Sequence, residues 1–253
     1  MNNSQLKNAL LRLGDDALIL GQRLAEWCGH APALEEDIAL TNISLDLIGQ
    51  TQSYLSLAGS LFEEGIKSDD ELAFLRSGRE FQNLLLVEQP NGDFGDTIVR
   101  QFLFDAFALL RAEHIAQQSF NPEAAGIAAK AVKEIRYHFD HSSKWMVRLG
   151  DGTPESHSRV QKSLNDLWKF TGEMFISDEI DRSGLESGLL PNLEELKKEW
   201  DVKIDDILSK ATLVRPEDGF MQTGGRKGIH TEAFGFMLAE MQILPRTHPG
   251  ASW

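Results

Sequence analysis

Residues 133–138 read Lys133-Glu-Ile-Arg-Tyr-His138, and the position that decides their meaning is Tyr137. In helical bundles that hold two irons, two helices each give one carboxylate. Two others each give a Glu-x-x-His pair, carboxylate and imidazole one turn apart on one face. Glu134 supplies the carboxylate of such a pair, but Tyr137 stands where the imidazole belongs. Further out, Leu45-Asp-Leu-Ile-Gly-Gln50 repeats the pattern, with Gly49 three positions after Asp46. Asp16 precedes Asp46 by 30 residues and Asp105 precedes Glu134 by 29, so the chain contains two similar helix-pair units. No Asp or Glu anywhere has a His three residues later. Asp16, Asp46, Asp105 and Glu134 thus read as a metal scaffold without its imidazoles, and Gly49 and Tyr137 as vestigial ligand positions.

Apolar residues recur at helical spacing nearly throughout. A first helix is expected over about 5–27, with Leu6, Leu10, Leu13, Ala17, Leu20 and Leu24 on one stripe. A second is expected over about 33–60, carrying Ile38, Leu45, Ile48 and Leu55. A polar, irregular stretch over 63–93 contains short helical pieces and the turn signal Gln89-Pro-Asn-Gly92. Helices over about 94–119 and 122–149 follow, joined by a short link. One long and one short connection is the pattern of ferritin-like bundles. Further helices are expected over 160–175, 192–210 and 231–244. The chain reads as all-α: one ferritin-like domain over 1–253, a four-helix bundle over about 5–149, and additional C-terminal helices and a docking tail over about 153–253.

Lys plus Arg number 25 against 39 for Asp plus Glu, a net charge of −14. That field repels phosphate backbones, so neither nucleic acid nor an anionic membrane is expected as a partner. Cys28 is the single cysteine, which excludes an intramolecular disulfide and fits a reducing compartment. With no signal-peptide core and no long apolar run, a cytoplasmic protein is expected.

The flanks of Asp46 and Asp105 are apolar, which places both carboxylates toward a bundle interior, where an unpaired charge costs several kcal/mol. Tyr137 and Arg136 are local candidates to neutralise them. Glu134, His138 and His141 share a helix face and form a looser candidate metal set, that of an independent metal-dependent oxidase. A Glu–His hydrogen bond one turn apart explains Glu134 and His138 without metal. Cys28 beside His30 lacks an oxyanion-hole signature, and His30 reads as a turn residue. The basic loop Thr223-Gly-Gly-Arg-Lys-Gly228 could cradle an anion or simply lead into a helix. Gly224, Gly225, Arg226 and Lys227, with the apolar Phe234, Met237 and Met241 behind them, form a candidate partner-docking segment.

Six stretches carry a resemblance: Gln22-Arg-Leu-Ala-Glu-Trp-Cys-Gly-His-Ala-Pro32, Leu45-Asp-Leu-Ile-Gly-Gln50, Asn83-Leu-Leu-Leu-Val-Glu-Gln-Pro-Asn-Gly92, Lys133-Glu-Ile-Arg-Tyr-His138, Thr223-Gly-Gly-Arg-Lys-Gly-Ile-His-Thr-Glu232 and Met237-Leu-Ala-Glu-Met-Gln242. Together they resemble the structural subunits of bacterial phenylacetyl-CoA 1,2-epoxidases, multicomponent monooxygenases of phenylacetate catabolism. The likeness covers almost the whole chain in order, least specifically over 151–216. It implies a non-catalytic subunit that holds no cofactor and pairs with a homologous catalytic subunit, which holds the di-iron centre. It also implies a separate reductase that uses flavin and an iron–sulfur cluster to deliver electrons from NADPH. On that resemblance Asp46, Asp105 and Glu134 are relics of ligands, and no catalytic role carries over to them.

Overall fold

The computed structural model describes residues 1–251; Ser252 and Trp253, the end of the expected tail, lie outside the described residues. Nine α-helices are found among the described residues and no strand: α1 Asn3–Ala25, α2 Leu34–Gly59, α3 Asp69–Phe74, α4 Phe94–Gln118, α5 Pro122–Gly150, α6 Pro154–Trp168, α7 Glu179–Glu186, α8 Leu193–Lys210 and α9 Glu232–Thr247. The chain divides into two compact units. One holds Met1–Gln89 with the segment from Gly224 onward, and the other holds Pro90–Thr223.

Side-chain caps fix where the long helices begin. Asn2 accepts from the Gln5 amide at 2.9 Å while the Gln5 side chain accepts from the Asn2 amide, a reciprocal box that starts α1. Asp93 and Asp96 do the same for α4. Asn121 caps α5, whose first residue, Pro122, has no amide to leave unsatisfied.

In the first unit α1 and α2 form a tightly packed pair. Gly14 and Gly21 on α1 let α2 approach closely: an added Cβ would come within 2.6 Å of the Leu55 side chain and 3.3 Å of the Leu47 Cβ, respectively. At the same seam the Ser44 hydroxyl donates to the Gly21 carbonyl at 2.8 Å. This seam selects which face of α2 turns inward. Leu40, Ile43, Leu47, Tyr54 and Leu55 are buried, whereas Ile38, Leu45 and Ile48, expected on this helix with Leu55, are exposed. The helix is apolar on two faces, so periodicity alone does not choose between them.

In the second unit α4 is buried along most of its length and packs on α5. Trp200 on α8 is the hub of the remaining helices. Its indole N–H donates to the Leu103 carbonyl at 3.0 Å, and its ring meets Trp168 at 5.7 Å and Phe175 at 5.3 Å. α6 begins at Pro154, earlier than the apolar pattern suggests, because Thr153 and Ser156 cap it and its first turns are polar. α7, capped by Asp178, lies between the helices expected over 160–175 and 192–210.

Candidate functional site

Asp16 sits in the middle of α1 with no exposure at all. Its carboxylate receives a guanidinium fork, Nη1 of Arg226 on Oδ1 at 3.0 Å and Nη2 on Oδ2 at 2.9 Å. The Leu84 amide donates to Oδ1 at 2.9 Å. Arg226 also donates to the Gln82 carbonyl at 2.6 Å. The paired planar geometry is the strong form of a charge-assisted hydrogen bond. The neighbouring carboxylate, Asp15, is held in the same way by a second fork from Arg76 and by the Gln82 amide at 2.8 Å.

A third buried carboxylate completes this cluster. Glu88 accepts from the Asn83 side chain at 2.9 Å and the Thr231 amide at 2.6 Å, and lies 2.8 Å from Nδ1 of His230. The other ring nitrogen of His230 faces the Phe81 carbonyl at 3.1 Å. Arg23 donates to the carbonyls of Glu88 and Ala233, both at 2.9 Å through Nη2. The segment after Gly224 is therefore fastened to α1 and to residues 81–89 by buried charge. Its glycines permit the close approach: a Cβ on Gly225 would lie 2.1 Å from the Asn83 carbonyl oxygen. Gly225→Ala is expected to lower stability by about 1–3 kcal/mol, through forced displacement in a packed region, measured as a reduced midpoint of thermal unfolding.

The seven residues expected to dock a partner are placed mostly within this cluster. Gly224, Gly225, Phe234 and Met237 are buried, Arg226 grips Asp16, Met241 is half-buried and Lys227 is exposed. Phe234 packs edge-on against Phe81 at 5.6 Å and stacks on His230 at 4.1 Å. The outward residues of α9 are instead Phe236, Ile243 and Leu244.

In the second unit Asp105 is buried on α4. It accepts from the Gln101 amide nitrogen at 2.6 Å and from the Ser142 hydroxyl at 2.9 Å. Burial pushes its carboxyl up to about 7, against the opposing pull of His138, Ser142 and Gln101. His138 is fully buried. Glu134, on the same helix, is half-buried with the Lys130 ammonium at 3.8 Å. Tyr137 is half exposed, its ring 6.3 Å from those of both His138 and His141. Arg136 pairs with Glu113 at 2.8 Å rather than with an interior acid.

Asp46 and Gly49 lie half-buried on α2. Asp46 is not in the interior, because the apolar run around it belongs partly to the exposed face. A Cβ on Gly49 would meet nothing within 4 Å. Among the described residues, no group of three or more His, Cys, Asp and Glu could hold a metal ion. Cys28 is exposed, and His30 turns back onto the Cys28 carbonyl at 3.0 Å, as a helix-end turn requires. No helix among the described residues is long and apolar enough to cross a membrane.

All 253 residues match the family described as phenylacetic acid catabolic protein. The chain belongs to that family. A relative in this phenylacetic acid catabolic family, one of the subunits of the 1,2-phenylacetyl-CoA epoxidase of Escherichia coli K12, is 49% identical over 99% of this chain and 100% of its own length. Among solved structures, a Synechococcus protein with aldehyde deformylating oxidase activity matches 83% of this chain and 94% of its own, with a TM-score of 0.57. At 13% identity that likeness concerns the fold alone, and it places this family member in the ferritin-like all-α class.

Adjacent acids within an apolar helix, Asp15-Asp16, were the available signal for the first cluster, but neither Arg76 nor Arg226 announces its partner locally. Glu88, Arg23 and His230 carry no signature of their burial in the sequence.

Proposed function

We propose that this chain is the structural, non-catalytic subunit of a multicomponent phenylacetyl-CoA 1,2-epoxidase. It pairs with and stabilises a homologous subunit that holds the di-iron centre, in the cytoplasm, while a flavin and iron–sulfur reductase supplies electrons from NADPH. The 49% identity to an epoxidase subunit across both full lengths supports membership of the complex.

The observation that carries the non-catalytic reading is the Arg226 fork on Asp16. A di-iron centre places cationic metals among carboxylates and imidazoles. Here the position of one metal-facing carboxylate already holds a protein cation. Freeing Asp16 for a metal takes its two-pronged carboxylate partner from Arg226, whose side chain is only 15% exposed. Breaking a buried pair in that way costs about 3–5 kcal/mol. Asp105 likewise has both oxygens engaged by Gln101 and Ser142, and Gly49 and Tyr137 supply no imidazole. The donor set does not fit two irons. The test is iron content chain by chain in the complex co-purified with the homologous catalytic subunit. Iron in that subunit and none in this chain is the expected result.

A further inference from the structure

On α2, Leu34, Ile38, Thr41, Leu45 and Ile48 follow one another in alternating steps of four and three residues. Leu34, Ile38 and Leu45 are 73, 54 and 59% exposed, and Ile48, 37% exposed, borders the face that packs on α1, its Cγ1 3.5 Å from where a Cβ on Gly21 would stand. Steps of four and three are the seven-residue repeat of a seam between two helices, whose knobs enter holes on a facing helix. A solvated helix face has no use for that period, and a helix apolar on both faces is normally covered on both. From Leu34 to Ile48 the seam runs about 21 Å at about 1.5 Å per residue, four turns of contact. Gly49 borders it with open space where a Cβ would stand, so a facing backbone can come close there.

Charge selects the occupant. α2 carries Glu35, Glu36, Asp37 and Asp46 and no Lys or Arg. A second copy of this chain would bring the same acids, and a further net charge of −14, against the first. We infer that this seam receives a helix of the homologous catalytic subunit, apolar along its contact line and rimmed by Lys and Arg. The inference rests on the subunit reading above and adds the surface through which the two chains join. It also moves the contact away from the segment after Gly224, whose apolar side chains Phe234 and Met237 are buried in their own unit.

The test is the affinity of the full chain for the co-expressed homologous subunit, measured by sedimentation for the wild type and for Ile38→Glu/Leu45→Glu. Two carboxylates in the seam are expected to weaken association at least tenfold. The melting of the isolated chain should stay unchanged, since both positions are exposed. Phe236→Glu, on the outer face of α9, should leave association as it was. An affinity for the double variant within twofold of wild type overturns the seam alone. So does loss of self-association with the hetero-affinity intact, which assigns the seam to a second copy. A wild-type chain that does not bind the homologous subunit overturns the subunit reading and the seam with it.

Discussion

Replacing Arg226 by alanine is expected to destabilise the fold by about 3–5 kcal/mol, the cost of removing one partner of a buried, fork-bonded ion pair. Asp16 has no exposure through which water could take over, and the Leu84 amide donates to Oδ1, the oxygen that also receives one prong of the fork. The Gln82 carbonyl loses its guanidinium donor as well. For a chain of this size each kcal/mol lowers the melting midpoint by about 2–4 °C, so the shift is large enough for a simple thermal scan. Arg226→Lys should recover only part of the loss, because a single ammonium cannot reproduce a two-pronged fork. The informative companion is Asp16→Leu with Arg226→Met. Removing both charges together should cost less than removing Arg226 alone, since the penalty lies in breaking the pair one-sidedly. If the double variant is as unstable as the sum of its single changes, the fork is not what holds this region. For the same reason, truncating the chain from Met221 onward cannot separate docking from folding, because it also removes the partner of Asp16.

The second large effect is a reversal of the usual behaviour of an aspartate with pH. An ordinary aspartate titrates at 3.8, whereas Asp105 in the folded chain titrates at about 7 because burial disfavours its charge. Between those values the folded chain retains a proton that the unfolded chain has released. Stability therefore falls as pH rises through this window, and the full penalty is present above about 7. The shift from 3.8 to about 7 is roughly 3 units, and at 1.36 kcal/mol each the penalty is on the order of 4 kcal/mol. Asp105→Asn removes the charge and keeps the shape. Its amide nitrogen can donate to Oε1 of Gln101, a buried atom with no hydrogen-bond partner, after the Gln101 amide turns over. Ser142 can still donate to the remaining oxygen. The variant should match the wild type near pH 4 and exceed it in stability at pH 8, by an amount of that order. Urea unfolding of both proteins at the two pH values decides the matter. Equal stability at pH 8 would show that Asp105 is ionised at little cost.

The helical frame could be read from the sequence because its signals are local. Caps and prolines such as Asn2, Asp93 and Asn121-Pro122 fix α1, α4 and α5 to within about two residues of the expected starts. The inner face of α2 was not legible. Ile38, Leu45 and Ile48 are as apolar as Leu40, Ile43 and Leu47, and only the approach of Gly14 and Gly21 from α1 decides between the two sets. That ambiguity also separates the two acids expected inside. The apolar run around Asp105 lies on a helix buried on most sides, so its carboxylate is enclosed. The run around Asp46 lies on a helix with one open face, so its carboxylate is not. The start of α6 went unseen because its first turns bury nothing apolar before Val160.

The basic loop Thr223–Gly228 was legible as something unusual but not as what it does. A glycine-rich basic segment in an acidic chain reads as a hand for an anion. The anion is internal: Asp16, 210 residues away from Arg226. Contacts across that distance leave no periodic or positional trace in a single sequence. Asp15, Arg76, Glu88 and His230 belong to the same class, since each is ordinary in its own stretch and meaningful only through a remote partner. In the four-carboxylate pattern that first suggested a metal scaffold, the first carboxylate thus holds a guanidinium and the third titrates near neutrality.

The most direct test of the non-catalytic role is the distribution of iron between the chains of the complex. The complex with the homologous catalytic subunit would be purified, reconstituted anaerobically with ferrous iron, and its two subunits separated for metal analysis. The account predicts iron in the catalytic subunit and less than a stoichiometric trace in this chain, with Arg226 still seated on Asp16. Two irons bound per copy of this chain would contradict it.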